Sequence, residues 1–309
     1  MNEPIIIGTR GSALALWQAE FVKHQLEKRF SSADIRLKII KTTGDKILDS
    51  PLSHIGDKGL FTKEIEHALL THTIDIAVHS LKDLPTRTPD GLVIAAVTKR
   101  EDVRDILISK KWKSVEELPD DAVVATGSLR RKSQLLHLNP HLRIVDIRGS
   151  VPSRMKKFDE SAWDGIILAY AGIKRLGLGH RVAQIIPTEI ILPAVGQGAL
   201  GIEIRENDTR TLNAVRSLNH ASTYHCTIAE RSLLRTLEGG CQIPIGAYAQ
   251  VKNQKIILNA VVGTIDGTLL LDARGSSALS RAEKLGQRIG RKLLENGAKE
   301  ILEEIRIHG

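Results

Sequence analysis

Two side chains in this 309-residue sequence are placed to do chemistry, and a set of arginines is placed to hold an anion. Asp83 follows Lys82 and precedes Leu84-Pro85, just after the apolar run DIAVHS at 75–80, so the chain turns there and carries a carboxylate out at a strand end. Such an aspartate either caps the turn or serves a cleft, pairing with cationic or N–H groups of a substrate and moving protons. Cys241 sits in Glu238-Gly239-Gly240-Cys241-Gln242-Ile243-Pro244, between a helical run and a strand-like one. The two glycines free the backbone to expose the thiol, which suits a nucleophile or an attachment point. Cys226, on the apolar side of a helical run, reads instead as a small buried hydrophobe. The histidines show no metal-ligand spacing: Pro140 separates His137 from His141, and His225 beside Cys226 has no further ligand nearby.

The arginines follow a rule. In open α/β sheets, ligands collect at the carboxyl ends of strands. Five strand-like runs here lead directly into a basic residue, most with Gly or Ser beside it. IIIGT leads into Arg10-Gly11-Ser12, DIAVHS into Leu81-Lys82, and AVVAT (ending at Thr126) into Gly127-Ser128-Leu129-Arg130-Arg131. LRIVDI leads into Arg148-Gly149-Ser150 with Arg154 a turn later, and GIILAY into Ala171-Gly172-Ile173-Lys174-Arg175. Backbone amides at helix starts bind anions, and guanidinium forks grip carboxylates in two places. A single basic residue of this kind is a solvated rim charge; five together indicate a polyanion cleft.

The elements that must hold these groups alternate. Strand-like runs at 5–9, 35–40, 75–80, 92–97, 105–109, 122–126, 142–147 and 165–170 are separated by helical patterns, among them Leu14, Trp17 and Phe21 at i, i+3, i+7 and FTKEIEHALL at 61–70. That rhythm predicts two α/β domains on mostly parallel sheets, with the charged stretch TKREDVRD (98–105) crossing between them. The last third differs. A helical run at 222–237 is followed by PIGAYAQV, KIILNAVVG and TLLLDARG, separated by VKNQ and TIDG, which predicts a small antiparallel sheet. A final helical region, 279–306, should break at Asn296-Gly297. The expected fold is therefore two doubly wound α/β domains plus a small α+β domain with a three-stranded antiparallel sheet. The stretch 41–59 has no periodicity and reads as a functional lid or an ordinary surface loop.

Composition narrows the partners. Net charge is +8, and residues 126–181 alone hold eleven basic and four acidic side chains. A field this concentrated calls for an anionic partner. Aromatic residues are only 3%, too few for a nucleic-acid stacking platform, and the basic residues sit at strand exits rather than along a helix face. No apolar run is long enough for a membrane span, and the start MNEPIIIGTR lacks the features of a secretory signal. The reading is a cytoplasmic protein without a disulfide framework.

Taken together, DIAVHSLKDLP, ATGSLRRKSQL, IRGSVPSR, AGIKRLG, LPAVGQGALGIE and LEGGCQIPIG resemble segments of the porphobilinogen deaminase (hydroxymethylbilane synthase) family, in family order and over essentially the whole chain. The resemblance implies three domains: 1–98 with 199–216, 104–193, and 221–309, the first two similar to bilobed periplasmic binding proteins. It implies a transferase of haem biosynthesis that condenses four porphobilinogens head to tail into 1-hydroxymethylbilane, releasing ammonia at each step. The chain grows on a dipyrromethane cofactor held through a cysteine thioether. Carried over by residue, the attachment cysteine is Cys241 and the catalytic carboxylate Asp83. Lys82, Asp83, Thr126, Ser128, Arg130, Arg131 and Arg148 match the cofactor site. Arg10, Ser12, Arg148, Arg154 and Arg175 match the sites for substrate and elongating chain, and His54 and Lys58 fall on a lid. The implied partners are porphobilinogen and the growing oligopyrrole, with no metal, nucleic acid or membrane, and the implied state is a monomer. Each pyrrole bears an acetate and a propionate, so the product chain is the polyanion that the charge pattern calls for.

The sequence departs from the family pattern at three positions. Residue 54 is histidine where lysine is expected, residue 57 is aspartate where glycine is frequent, and residue 127 is glycine where serine is common. A histidine with a pKa near about 6.5 is mostly neutral at pH 7, which weakens that charge. The runner-up reading is a non-catalytic bilobed anion-binding protein, which has no need of a Gly-Gly-Cys loop in a third domain.

Overall fold

The computed structural model describes residues 3–46, 62–238 and 243–308. The chain runs β1 (Ile5–Thr9), α1 (Ala13–Arg29), β2 (Ile35–Ile39), the single turn α2 (Thr43–Lys46), α3 (Lys63–Leu70) and β3 (Ile76–Ser80), which passes into a 3-10 turn over Leu81–Asp83. It continues through β4 (Leu92–Val97), β5 (Asp105–Ser109), β6 (Val123–Ala125), α4 (Leu129–Leu138), β7 (Arg143–Val145) and α5 (Val151–Glu160). Next come β8 (Gly165–Ala169), α6 (Tyr170–Arg175), β9 (Gln184–Ile185), β10 (Leu200–Arg205), α7 (Thr209–Val215) and α8 (Ala221–Thr236). The chain finishes with β11 (Ile245–Lys252), β12 (Lys255–Gly263), β13 (Leu270–Ala278), α9 (Ala282–Leu293) and α10 (Lys299–His308). The last two helices break at Gly297, where the sequence places the interruption.

Among the described residues the strands form three sheets: β2-β1-β3-β10-β4, β7-β6-β8-β5-β9 and β11-β12-β13. The run Asp105-Ile-Leu-Ile shows why the second sheet is covered on both faces. Ile106 and Ile108 pack with Phe158 and Ile166 on one side, while Leu107 packs with Val124, Leu135 and Ile167 on the other. Alternating side chains point to opposite faces, so an uninterrupted apolar strand needs helices on both. The third sheet is antiparallel with a tight turn at Asn253-Gln254, both at positive φ, as the twist of a two-residue hairpin favours. Its core joins Ala247, Leu258 and Ala260 to Cys226 and Leu233 of α8 and to Leu285 and Ile289 of α9.

One expectation needs correction. The first two sheets are mixed rather than mostly parallel: β10 runs antiparallel to β3 and β4, and β5 antiparallel to β8 and β9. The reason lies in the crossings. β5 and β10 each enter a sheet from the other lobe, so each starts at the edge where the parallel strands end. Asp105 therefore pairs with Ala169, and Leu200 with Ser80. The helix predicted around Leu14, Trp17 and Phe21 is α1, whose buried side is Gln18, Ala19, Val22 and Leu26, whereas Trp17 is 38% exposed. Trp17 meets Arg175 of the second lobe and stacks on Phe21, which packs against the core of the first lobe. No helix among the described residues is long and apolar enough to cross a membrane.

Candidate functional site

Each basic strand exit is built by a simple local device. At the end of β1, Thr9 is fully buried and its hydroxyl donates to Ala15 O at 3.0 Å, which ties the strand end to the first turn of α1. Ser12 caps that helix, its Oγ accepting from Ala15 N at 3.3 Å. At the end of β3, Leu81 and Leu84 are both buried and pin the 3-10 turn from either side, leaving Asp83 to turn outward while Lys82 reaches the buried Gln197. Asp83 is exposed and Lys82 half-buried. Arg231 of α8 fastens the chain just beyond, donating to Leu84 O at 3.3 Å and Pro85 O at 2.6 Å.

The exit of β6 holds a buried ion cluster. Thr126 is buried and its Oγ1 accepts from Ser128 N at 3.4 Å at the start of α4. Arg130 and Arg131 on that helix are 4% and 5% exposed, values possible for guanidinium groups only because a carboxylate meets them. Asp105, itself fully buried, accepts from Arg130 Nη1 and Arg131 Nη2, both at 2.8 Å. Burial alone would push the Asp105 carboxyl up, but the two arginines hold it well below the usual carboxylate range. Arg130 also donates to Leu192 O and Arg131 to Ile167 O. At the exit of β7, Ser150 caps α5 by accepting from Ser153 N at 3.3 Å, and Arg154 Nε donates to Gly149 O at 2.8 Å.

The structure brings most of these residues together. Lys82 faces Asp83, Arg131, Asp105 and Arg130; burial first, with Arg131 and Arg130 adding to it and Asp83 and Asp105 opposing, lowers its pKa to about 8. Arg154 is depressed by burial first, then by Arg131 and Arg148, while Asp83 and Asp146 oppose the shift. Asp83 thus faces a cation from each lobe. Arg175 stands apart from this group: its Nη2 donates to Gly198 O at 2.8 Å, its guanidinium lies 5.6 Å from the centre of the Trp17 ring, and burial lowers its pKa to about 10. It therefore belongs with Trp17 of α1 and the returning crossing at Gly198 rather than with Asp83. Three N–H donors in the main group are buried without a protein partner: Nε of Arg130, Nε of Arg131 and Nη1 of Arg148.

Gly127 has a steric reason. A Cβ there would lie 2.6 Å from Ile147 O and 2.9 Å from Asp146 Oδ1, so the exits of β6 and β7 press together too closely for serine in this arrangement. His54, Lys58 and Cys241 lie outside the described residues. The expected lid at 41–59 is described only to residue 46, where the helical turn α2 replaces the structureless reading and Thr43 N donates to Glu64 Oε1 at 2.7 Å. Cys226 is buried as expected, and burial, with Glu230 adding to it, pushes its thiol up to about 12, which leaves it unreactive.

Three residues at the lobe crossings do not stand out in the sequence. Asp105 is the counter-ion just described. Gln197 accepts from Lys82 Nζ at 3.3 Å. Glu230 of α8, fully buried, accepts two bonds from Arg100 (2.6 and 3.1 Å) and one each from Gly196 N (2.8 Å) and Ala249 N (2.7 Å), tying both crossings to the third sheet. The available signal was a charge embedded in apolar company: Asp105 opens the run DILIS, and Glu230 lies on the helix side that also carries Cys226 and Leu233.

Comparison with known proteins bears on this cleft directly. Residues 5–213 match the family description "Porphobilinogen deaminase, dipyromethane cofactor binding domain", and 224–295 match "Porphobilinogen deaminase, C-terminal domain". The chain belongs to the porphobilinogen deaminase family. Curated relatives named porphobilinogen deaminase are 55% identical in Chlorobium limicola and 54% in Chlorobium luteolum, each over 99% of both chains. Among solved structures, the methionine-binding protein MetQ aligns with 80% of this chain and 98% of its own at 14% identity and a TM-score of 0.43.

The group that gives the family's main domain its description fits the residues present. Pyrrole acetates and propionates need cationic donors, and the partnerless N–H groups of Arg130, Arg131 and Arg148 offer them where water is excluded.

Proposed function

We propose that this chain condenses porphobilinogen head to tail into 1-hydroxymethylbilane with release of ammonia, and that Cys241 carries the dipyrromethane primer through a thioether. The observation that carries the reading is the exposed Asp83 at a strand exit, facing Lys82 and Arg154 amid buried guanidinium donors that have no protein partner. Lys82, Arg130, Arg131 and Arg148, with Thr126 and Ser128, would hold the primer's carboxylates. When bound, the primer supplies the pyrrole carbon that receives the incoming unit.

The remaining steps fall to the protein. Arg10, Ser12, Arg154 and Arg175 hold the carboxylates of the incoming porphobilinogen and the growing chain. As ammonia leaves the substrate, positive charge develops on the pyrrole nitrogen, and the Asp83 carboxylate stabilises it there. The same carboxyl delivers a proton to the leaving amine and takes one back from the newly joined ring. The proposed domain division is 1–98 with 199–216, 104–193, and 221–309, and His54 and Lys58 are proposed to serve a lid. One chain supplies both lobes and the attachment cysteine, which supports a monomer, and the sparse cysteine content supports the cytoplasm.

Intact mass with peptide mapping tests the proposal. The purified protein should carry an adduct on the Cys241 peptide. Cys241→Ser should lose the adduct and nearly all activity, whereas Cys226→Ala should keep both. An adduct on Cys226, or active protein with none, contradicts it.

A further inference from the structure

We propose that Gln197 is a positioning residue, whose side-chain amide sets Lys82 of one lobe against Asp105 of the other across the lobe crossing. Gln197 is 1% exposed and lies in the segment that returns from β9 to β10. Both ends of its amide are used, on opposite lobes. Its Oε1 accepts from Lys82 Nζ at 3.3 Å, and its Nε2 donates to Val103 O at 2.7 Å and to Asp105 Oδ1 at 2.8 Å. The backbone is fixed as firmly: Gln197 O accepts from Arg100 Nε at 2.7 Å. The neighbouring Gly198, at φ +87°, lets the two crossing segments meet, since a Cβ there would lie 2.5 Å from Glu101 O.

The chemistry selects an amide. The side chain must accept from an ammonium on one side and donate to a carboxylate on the other, inside a buried network where an unmade bond is costly. A carboxylate at 197 would serve Lys82 but oppose Asp105, and an aliphatic side chain would serve neither. The partners also fix which end of the amide is oxygen. Because Asp105 in turn clamps Arg130 and Arg131, Gln197 links the lysine beside Asp83 to the arginine pair of the second lobe in one connected set. The inference rests on the function proposed above, in which those groups hold the primer.

Among the described residues the charged groups facing Lys82 are Asp83, Asp105, Arg130 and Arg131; a substitution at 197 leaves these and the primer's carboxylates unchanged. The test is the titration of Lys82, read as the pH dependence of its acetylation by limiting acetic anhydride, with peptide mass spectrometry on the folded, adduct-bearing protein. The wild-type midpoint, measured on the same adduct-bearing protein, is the reference. Gln197→Met removes the acceptor from the charged amine, so the midpoint should drop. Gln197→Glu adds a nearby negative charge, so the amine should hold its proton about tenfold more tightly or better. Opposite movements distinguish positioning from a general loosening, which would shift both variants the same way. Turnover by Gln197→Met should fall in kcat more than it rises in KM. If the Met variant does not fold, the Glu variant decides alone. A midpoint unmoved in Gln197→Glu, or moved in the same direction in both variants, overturns the proposal. The titration needs no turnover, so it tests Gln197 separately from the condensation reaction.

Discussion

The arginines at the exit of β6 and those at the exit of β7 look alike in the sequence and are held in different ways. Arg130 and Arg131 are buried on α4 and share the Asp105 carboxylate, with main-chain carbonyls taking further N–H groups. Arg148 and Arg154 meet no carboxylate within ion-pair distance among the described residues; Arg154 is gripped by a single carbonyl, and Arg148 keeps a buried N–H without a protein partner. The first pair is part of the framework, and each guanidinium keeps one buried N–H, at Nε, without a protein partner. The second pair carries charge that the protein does not neutralise. The eleven basic side chains counted over 126–181 therefore overstate what a ligand meets, because Arg130 and Arg131 are already paired with Asp105, which lies outside that stretch.

Removing the shared counter-ion should break the comparison most severely. Asp105→Asn leaves two buried guanidinium groups without their charge partner and should cost about 3–5 kcal/mol in chemical denaturation. The pH dependence has a definite sign. The Asp105 carboxyl is held below its unfolded value, so its contribution is complete above that unfolded value, about 4, and is lost as pH falls through the folded one. A loss under about 1 kcal/mol would place Asp105 with ordinary surface pairs.

The β7 pair should show the reverse pattern. Arg148→Leu and Arg154→Leu should unfold close to wild type and yet lose about 1.5–3 kcal/mol of ligand affinity, roughly ten- to a hundredfold. Arg148→Leu should impair primer assembly, and Arg154→Leu should allow it but stall elongation, both read by intact mass of trapped chains. Wild-type kinetics in these variants would remove the distinction between framework and binding arginines.

A smaller effect should come from Lys82, which sits where the two groups meet. Burial, aided by Arg131 and Arg130 against Asp83 and Asp105, brings its pKa to about 8, so the ammonium is present below that pH and lost above it. Turnover should decline as pH rises through about 8, and Lys82→Arg should move that limb upward. The stability sign is opposite: the cost of burying the charge is felt below about 8 and relieved between there and the unfolded value, near about 10.4.

Much of this was legible because the strand exits are short apolar runs ending in Gly, Ser and basic residues, a pattern that local chemistry dictates. Asp83, Arg130, Arg131, Arg148 and Arg154 were all found that way. Asp105 and Gln197 escaped because they precede strands rather than follow them. An entry residue reaches the same cleft edge only when its strand runs antiparallel, and the direction of β5 and β10 depends on where the chain crosses between lobes, which no local period records. The stripe of Leu14, Trp17 and Phe21 was visible as apolar, but periodicity does not say whether a face meets the core or the opposite lobe.

The central claim is that Asp83 performs the chemistry while the surrounding cations hold the chain. Single-turnover ammonia release from Asp83→Asn and Asp83→Glu, each first shown by mass to carry the primer, tests it most directly. The amide keeps the shape but loses both charge and proton exchange, so release should slow by at least about a hundredfold. The longer acid keeps both and should retain more activity than the amide. Ammonia release at the wild-type rate from primer-bearing Asp83→Asn would leave Asp83 as a turn residue and contradict the account.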